Sequence, residues 1–170
     1  MRPKRLTWTC KNVTITVSEE AAGSREGRKS AGDRFFVDTN VLLYSVDAAA
    51  PGKQRPARLW ADALWETGSG ARSWQVLHEF YVNTVRQVRL PRKIARQLAE
   101  DFAQWRPPEV TIGLIRRACH WNDQAQLSYW DGLIVAAAER LECPWLLSED
   151  FQNGRRFGKD HNRQSVPAYS

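Results

Sequence analysis

Residues 34–47 read RFFVDTNVLLYSVD. Phe35, Phe36 and Val37 make a short apolar run that ends on the acid Asp38, and Thr39 and Asn40 then open a second run, Val41, Leu42, Leu43 and Tyr44. The pattern predicts a buried strand that delivers a carboxylate to a helix start. In a parallel α/β sheet, ligands bind in the crevice outside the carboxyl ends of the strands, so an acid at this junction is placed for chemistry. Asp38 and Asn40 are also good helix N-caps, and capping is compatible with a role in a site.

Downstream, Pro51-Gly52 reads as a turn. Residues 56–66 then place Leu59, Trp60, Ala63 and Leu64 at helical spacing, until Gly68 and Gly70 stop the helix. Residues 71–74 suit a short strand, and Ser73 caps a helix with an apolar face of Val76, Leu77, Phe80, Tyr81 and Thr84. Glu79 lies on the border of that face. Pro91 suits the first turn of another helix, with Ile94, Leu98, Phe102 and Trp105 spaced for burial. Pro107-Pro108 ends it, residues 110–112 read as a brief strand, and Leu114, Ile115, Ala118 and Cys119 mark a further helix ending near Asp123. Ser128 opens a strongly helical run, YWDGLIVAAAERL, with Asp131 three residues in. Residues 143–147 form a last apolar strand ending on Ser148-Glu149-Asp150, and Asn153-Gly154 turns the chain. Strands alternating with helices predict an α/β fold with a parallel sheet.

Residues 1–33 differ in kind. Residues 12–18, NVTITVS, alternate like a strand, whereas 19–33 are rich in Gly, Ser and charge and offer no apolar period. They predict an extension, followed by one domain over 34–166 and a short tail over 167–170. The net charge of +6 divides equally, +3 in residues 1–33 and +3 in the remainder, so the folded part is only mildly basic. That permits a nucleic-acid partner without requiring one. No apolar run reaches the roughly 18 residues of a membrane span, and the basic start lacks the apolar core of a signal peptide, which predicts a cytoplasmic protein with no membrane partner. Cys10, Cys119 and Cys143 have neither disulfide nor zinc-site spacing. Most of the eight tryptophans are expected to anchor the core.

Four acids stand at informative places: Asp38 after the first strand of the domain, Glu79 on a helix, Asp131 at a helix start and Asp150 after a late strand. Singly, each has an ordinary role as cap, turn residue or solvated helix residue. Together, two strands of one parallel sheet would bring Asp38 and Asp150 to one edge, and helices packed there would add Glu79 and Asp131. Clustered carboxylates repel unless protons or cations neutralise them, and hard oxygen donors select Mg²⁺ or Mn²⁺. The implied chemistry is metal-assisted phosphodiester hydrolysis.

RFFVDTNVLLYSVD, SWQVLHEFY, LSYWDGLIVAAA and LLSEDFQNG, in this order and spacing, resemble the PIN-domain ribonucleases, and among them the VapC-type toxins of bacterial toxin–antitoxin pairs. The resemblance covers residues 34–166. It implies a three-layer α/β/α sandwich around a central parallel sheet, Mg²⁺- or Mn²⁺-dependent cleavage of RNA, a homodimer, and inhibition by a cognate VapB-type antitoxin. By position it implies Asp38, Glu79, Asp131 and Asp150 as metal-binding catalytic acids, Asn40 as support for the first and Ser148 as the hydroxyl residue preceding the last. Asp123 fits less well as a fifth acid. The resemblance departs at the amino end, where such toxins begin a few residues before the first acid. There KNVTITVSEEAA resembles the opening strand of a ribbon-helix-helix antitoxin, consistent with a remnant of a neighbouring gene or a mis-called start.

Two basic stretches are candidate RNA contacts. One is Arg155, Arg156, Lys159 and Arg163, directly after Asp150, and it is preferred; the other is Arg86, Arg89, Arg92, Lys93 and Arg96 around Pro91, which reads equally as a solvated face. Two other readings compete with a nuclease. A PIN-like fold can persist as a catalytically silent RNA- or protein-binding module. Haloacid-dehalogenase-like phosphatases also place an aspartate after the first strand, but Asn40 stands where their second acid is expected. His78, His120 and His161 form no HxxxH pair, and no GxSxG occurs, which removes the support for zinc or serine hydrolysis.

Overall fold

The computed structural model describes residues 34–151 in full and the backbone of residues 5–10 and 13–18. The latter are two antiparallel strands, β1 (Arg5–Cys10) and β2 (Val13–Ser18). Sequence reading anticipates the second strand and misses the first.

The rest is mixed α/β and mostly helical. A three-stranded parallel sheet runs β4–β3–β5, built from β3 (Phe35–Val37), β4 (Gly70–Ala71) and β5 (Trp145–Leu147). The central strand is the one in the opening motif. Phe36 and Val37 are buried, their level partners being Ala71 and Leu146 for Phe36 and Leu147 for Val37. The Asp38 N–H donates to the Leu147 carbonyl at 2.9 Å, carrying the β3–β5 ladder one residue further, to the acid itself. The described residues also hold six helices: α1 (Thr39–Val46), α2 (Pro51–Thr67), α3 (Trp74–Arg86), α4 (Arg92–Ala103), α5 (Ile112–Ala125) and α6 (Tyr129–Arg140). No described helix is long and apolar enough to cross a membrane.

Local chemistry explains most boundaries. Asp38, Ser73, Thr111 and Ser128 each accept a backbone N–H at the start of α1, α3, α5 and α6. Gly68 closes α2 in the left-handed conformation, φ 62°, which costs glycine nothing. Gly70 is required for another reason: a Cβ there would lie 2.7 Å from the ring of Trp105, which packs flat onto β4. Gly132 lets α6 approach α5 so closely that a Cβ would meet the Ala118 carbonyl at 2.6 Å. Ile134, Val135, Ala136, Ala137 and Ala138 are all buried, so α6 carries the longest unbroken run of buried residues among those described.

Four expectations need correction. Pro51-Gly52 is the first turn of α2 rather than a preceding turn, because proline is preorganised for that position, and Pro56 is tolerated inside the same helix. Residues 110–112 form no strand: Thr111 caps α5, and Val110 and Ile112 are exposed at 64% and 62%. Ile94 is also exposed, since Ala95 and Phe102 set the buried face of α4. The tryptophans are not chiefly core anchors. Among those with described side chains only Trp105 is buried, while Trp65, Trp74 and Trp130 are exposed. Asn153-Gly154 and the tail lie outside the described residues.

Candidate functional site

The carboxyl ends of β3 and β5 deliver Asp38 and the segment 148–150 to one edge of the sheet. Asp38 is almost fully buried, and its two oxygens have different partners. The Thr39 N–H donates to Oδ1 at 2.6 Å, which caps α1. The Ser148 hydroxyl donates to Oδ2 at 2.5 Å. Capping and participation in the site are thus carried by separate oxygens of one side chain.

Asn40 is the hub. Its Nδ2 donates to Asp150 Oδ2 at 3.0 Å and stands 3.4 Å from both Asp38 Oδ2 and Ser148 Oγ. Its Oδ1 accepts the Glu149 N–H at 3.3 Å. Ser148 Oγ in turn accepts the Asp150 N–H at 3.1 Å. Glu79 joins from α3: Thr39 Oγ1 donates to one of its oxygens at 2.8 Å, and Gln75 Nε2, one turn back on the helix, donates to the other at 2.9 Å. Asp38, Glu79 and Asp150 are thereby joined through Thr39, Asn40 and Ser148.

Burial pushes the Asp38 carboxyl up from 3.8 to about 6. The hydrogen bonds from Ser148 and Thr39 oppose that rise, and the carboxylates of Asp150 and Glu79 add to it. Asp131 is not linked to the cluster by a hydrogen bond among the described residues. Its carboxylate accepts from the Ser128 hydroxyl at 2.7 Å, while its own N–H donates to the same oxygen at 3.1 Å, closing a capping pair at the start of α6. Asp123 is exposed on α5. Arg155, Arg156, Lys159 and Arg163 lie outside the described residues.

The donor chemistry fits a hard divalent ion, since every candidate ligand is a carboxylate, hydroxyl or amide oxygen. The acids do not close into a ready-made ligand set: among the described residues no three His, Cys, Asp or Glu side chains are grouped to hold one ion. Their oxygens are occupied instead by Ser148, Asn40, Thr39 and Gln75, and an ion would enter by exchange with these neutral donors.

Three features of the site escape sequence reading. Gln75 is visible in principle, because a side chain four residues before Glu79 on a helix faces it. Thr39 reaches Glu79 across 40 positions and carries no local signal. The third is a triad beside the site loop: Lys53 Nζ donates to Glu149 Oε1 at 2.5 Å and to Tyr44 Oη at 2.8 Å, and Tyr44 also bonds Glu149. Although burial pushes Glu149 up, the Lys53 and Tyr44 bonds hold it below its ordinary value. The triad ties α1 and α2 to the loop that carries Asp150.

No protein-family model matches the chain, and no curated protein matches it.

Proposed function

We propose that this chain is a divalent-metal-dependent endoribonuclease with a PIN-like three-layer α/β/α fold, a toxin of the VapC type restrained by a cognate VapB-type antitoxin. The observation that carries the reading is the meeting of Asp38, Glu79 and Asp150 at the carboxyl edge of a parallel sheet, tied together by Asn40, Ser148 and Thr39. Such a concentration of negative charge around a buried carboxyl is useful chiefly to a cation. Asp38, Glu79 and Asp150 are the residues that would hold Mg²⁺ or Mn²⁺, with Asp131 contributing from α6 once its Ser128 bond is exchanged. When bound, such an ion supplies a nucleophilic water at neutral pH and neutralises charge on the phosphoryl oxygens.

The chain's own residues do the remaining work. Ser148 and the Thr39 N–H fix the direction of the Asp38 carboxylate, Asn40 fixes that of Asp150, and Gln75 and Thr39 fix that of Glu79. Asp38, the most deeply buried of the acids, keeps part of the site dry and strengthens its electrostatics. A homodimer is consistent with the exposed apolar side chains Trp65, Trp74, Trp130 and Ile112.

Purified protein incubated with total cellular RNA and Mg²⁺ or Mn²⁺ tests the reading. Discrete fragments are expected, lost with chelator and lost in Asp38→Asn and Asp150→Asn variants. Absence of cleavage by folded, antitoxin-free protein would sink it in favour of a silent binding module, and cleavage that survives both substitutions would place the chemistry elsewhere.

A further inference from the structure

Glu79 belongs to a stripe of α3 that leads away from the acidic cluster. Gln75, Glu79, Val82 and Arg86 follow the i, i+4, i+7, i+11 spacing of one helix face, and the Gln75–Glu79 bond shows the first pair side by side. The opposite face, Val76, Leu77, Phe80 and Thr84, is buried. Seven residues at 1.5 Å each set Arg86 about 10 Å beyond Glu79 along the helix. Past Arg86 the chain turns into α4, bringing Arg89, Arg92, Lys93 and Arg96 to the same turn, all of them exposed.

That turn is firmly built. The Gln87 N–H donates to the Asn83 carbonyl at 2.8 Å and the Leu90 N–H to the Thr84 carbonyl at 3.2 Å. Arg89 sits in the left-handed region, φ 61°, where glycine would be less strained. None of the five cations has an ion-pair partner among the described residues, although ion pairs do form elsewhere, at Lys53–Glu149 and Arg117–Glu139. Five like charges crowded on one rigid turn without acids repel one another, and a polyanion relieves that repulsion.

We propose that the α3–α4 turn, through Arg86, Arg89 and Lys93, grips the phosphate backbone of an RNA strand that runs along α3 from the acidic cluster. The inference rests on the nuclease reading and specifies how that site holds its substrate. A distance of about 10 Å corresponds to about three nucleotides at the ~3.4 Å rise of a stacked strand. The turn therefore contacts phosphates a few nucleotides from the one being cut. Guanidinium groups match phosphate oxygens two at a time, and such contacts give affinity and register without reading sequence.

Fluorescence anisotropy with a labelled single-stranded RNA oligonucleotide of mixed sequence, in chelator so that it is not cut, tests this over a series of salt concentrations. Loss of three phosphate contacts in Arg86→Gln/Arg89→Gln/Lys93→Gln should flatten the slope of log affinity against log salt by about 2. At ~0.1 M salt it should weaken binding on the order of 100-fold. Arg58→Gln/Arg116→Gln/Arg140→Gln removes the same charge from exposed positions elsewhere and should change affinity by less than about 10-fold, the share expected of net charge alone. Arg89→Gly separates binding from folding: it relieves the left-handed residue, so the melting temperature should hold or rise while affinity falls. Equal affinity and slope in the turn variant and the wild type would overturn the proposal, as would a wild type that does not bind the oligonucleotide. Binding that depends on the turn, in a protein that cuts no RNA with any divalent ion, would keep the docking surface and sink the nuclease reading alone.

Discussion

Asp38 works against the stability of the fold it helps to organise. Its carboxyl is pushed up from 3.8 to about 6 by burial, reinforced by Asp150 and Glu79, so the ionised form is disfavoured by roughly 3 kcal/mol. Between those values the folded chain binds more protons than the unfolded one, and stability falls as pH rises from about 4 to 6. In metal-free protein, Asp38→Asn should therefore raise the urea midpoint at pH 7 by the equivalent of about 1–3 kcal/mol, with the gain disappearing near pH 4. Arg72, directly after β4, is the second such residue. It is fully buried, its three guanidinium nitrogens have no hydrogen-bond partner among the described residues, and burial pushes it down to about 9, still charged at neutral pH. Its compensation is stacking, with the guanidinium 4.8 Å from the Trp105 ring and 5.2 Å from that of Phe102. A cation–π contact is worth about 2 kcal/mol when desolvated, less than the several kcal/mol cost of a buried unpaired charge. Arg72→Met should stabilise the protein by about 1 kcal/mol or more, read as a higher urea midpoint at unchanged m-value.

At the scale of elements, α5 and α6 are fitted backbone to backbone. Gly132→Ala would ordinarily gain about 1 kcal/mol of helix propensity. Here the added Cβ meets the Ala118 carbonyl at 2.6 Å, and backbone cannot rotate away, so overpacking of about 1–3 kcal/mol wins and thermal unfolding should move to lower temperature. The Lys53–Glu149–Tyr44 triad is different, because Lys53 is half exposed and such a pair contributes under about 1 kcal/mol. Lys53→Met should leave global stability nearly unchanged yet speed hydrogen exchange at the Glu149 amide, which bonds Asn40. Elements with local signals were legible from sequence: the strand before Asp38, the caps Ser73 and Ser128, and the apolar α6. What failed was position on a face or an edge. Ile94 and Ala95 differ by one residue, and which is buried depends on Phe102 and the partner helix rather than on local pattern. Within the site, Asp38 and Asp150 were legible because strand ends mark them, whereas the supporting places of Asn40 and Ser148 were expected only from the family resemblance. The bonds of Glu79 to Thr39 and Gln75 were not anticipated, the first because it depends on how α1 and α3 pack, and the link from Asp131 to the cluster, expected from the motif, is not made by any hydrogen bond among the described residues.

For the molecule as a whole, the proposed function couples ion binding to stability. An ion that binds only the folded chain stabilises it by about 2.7 kcal/mol at 100 times its dissociation constant. Mn²⁺ should raise the melting temperature of the wild type and leave that of Asp150→Asn unmoved; equal shifts in both would remove Asp150 from the ion's ligands. The pairing of β3 with β5 has a further consequence, one of timing. Asp38 leaves the ribosome more than a hundred residues before Ser148 and Asp150, and until that last strand docks, the central strand lacks one of its two neighbours and the buried acid lacks its serine. On the proposed nuclease reading, the acidic site is assembled only after residues 148–150 emerge and dock, which spares the message and ribosome that are making the chain until then.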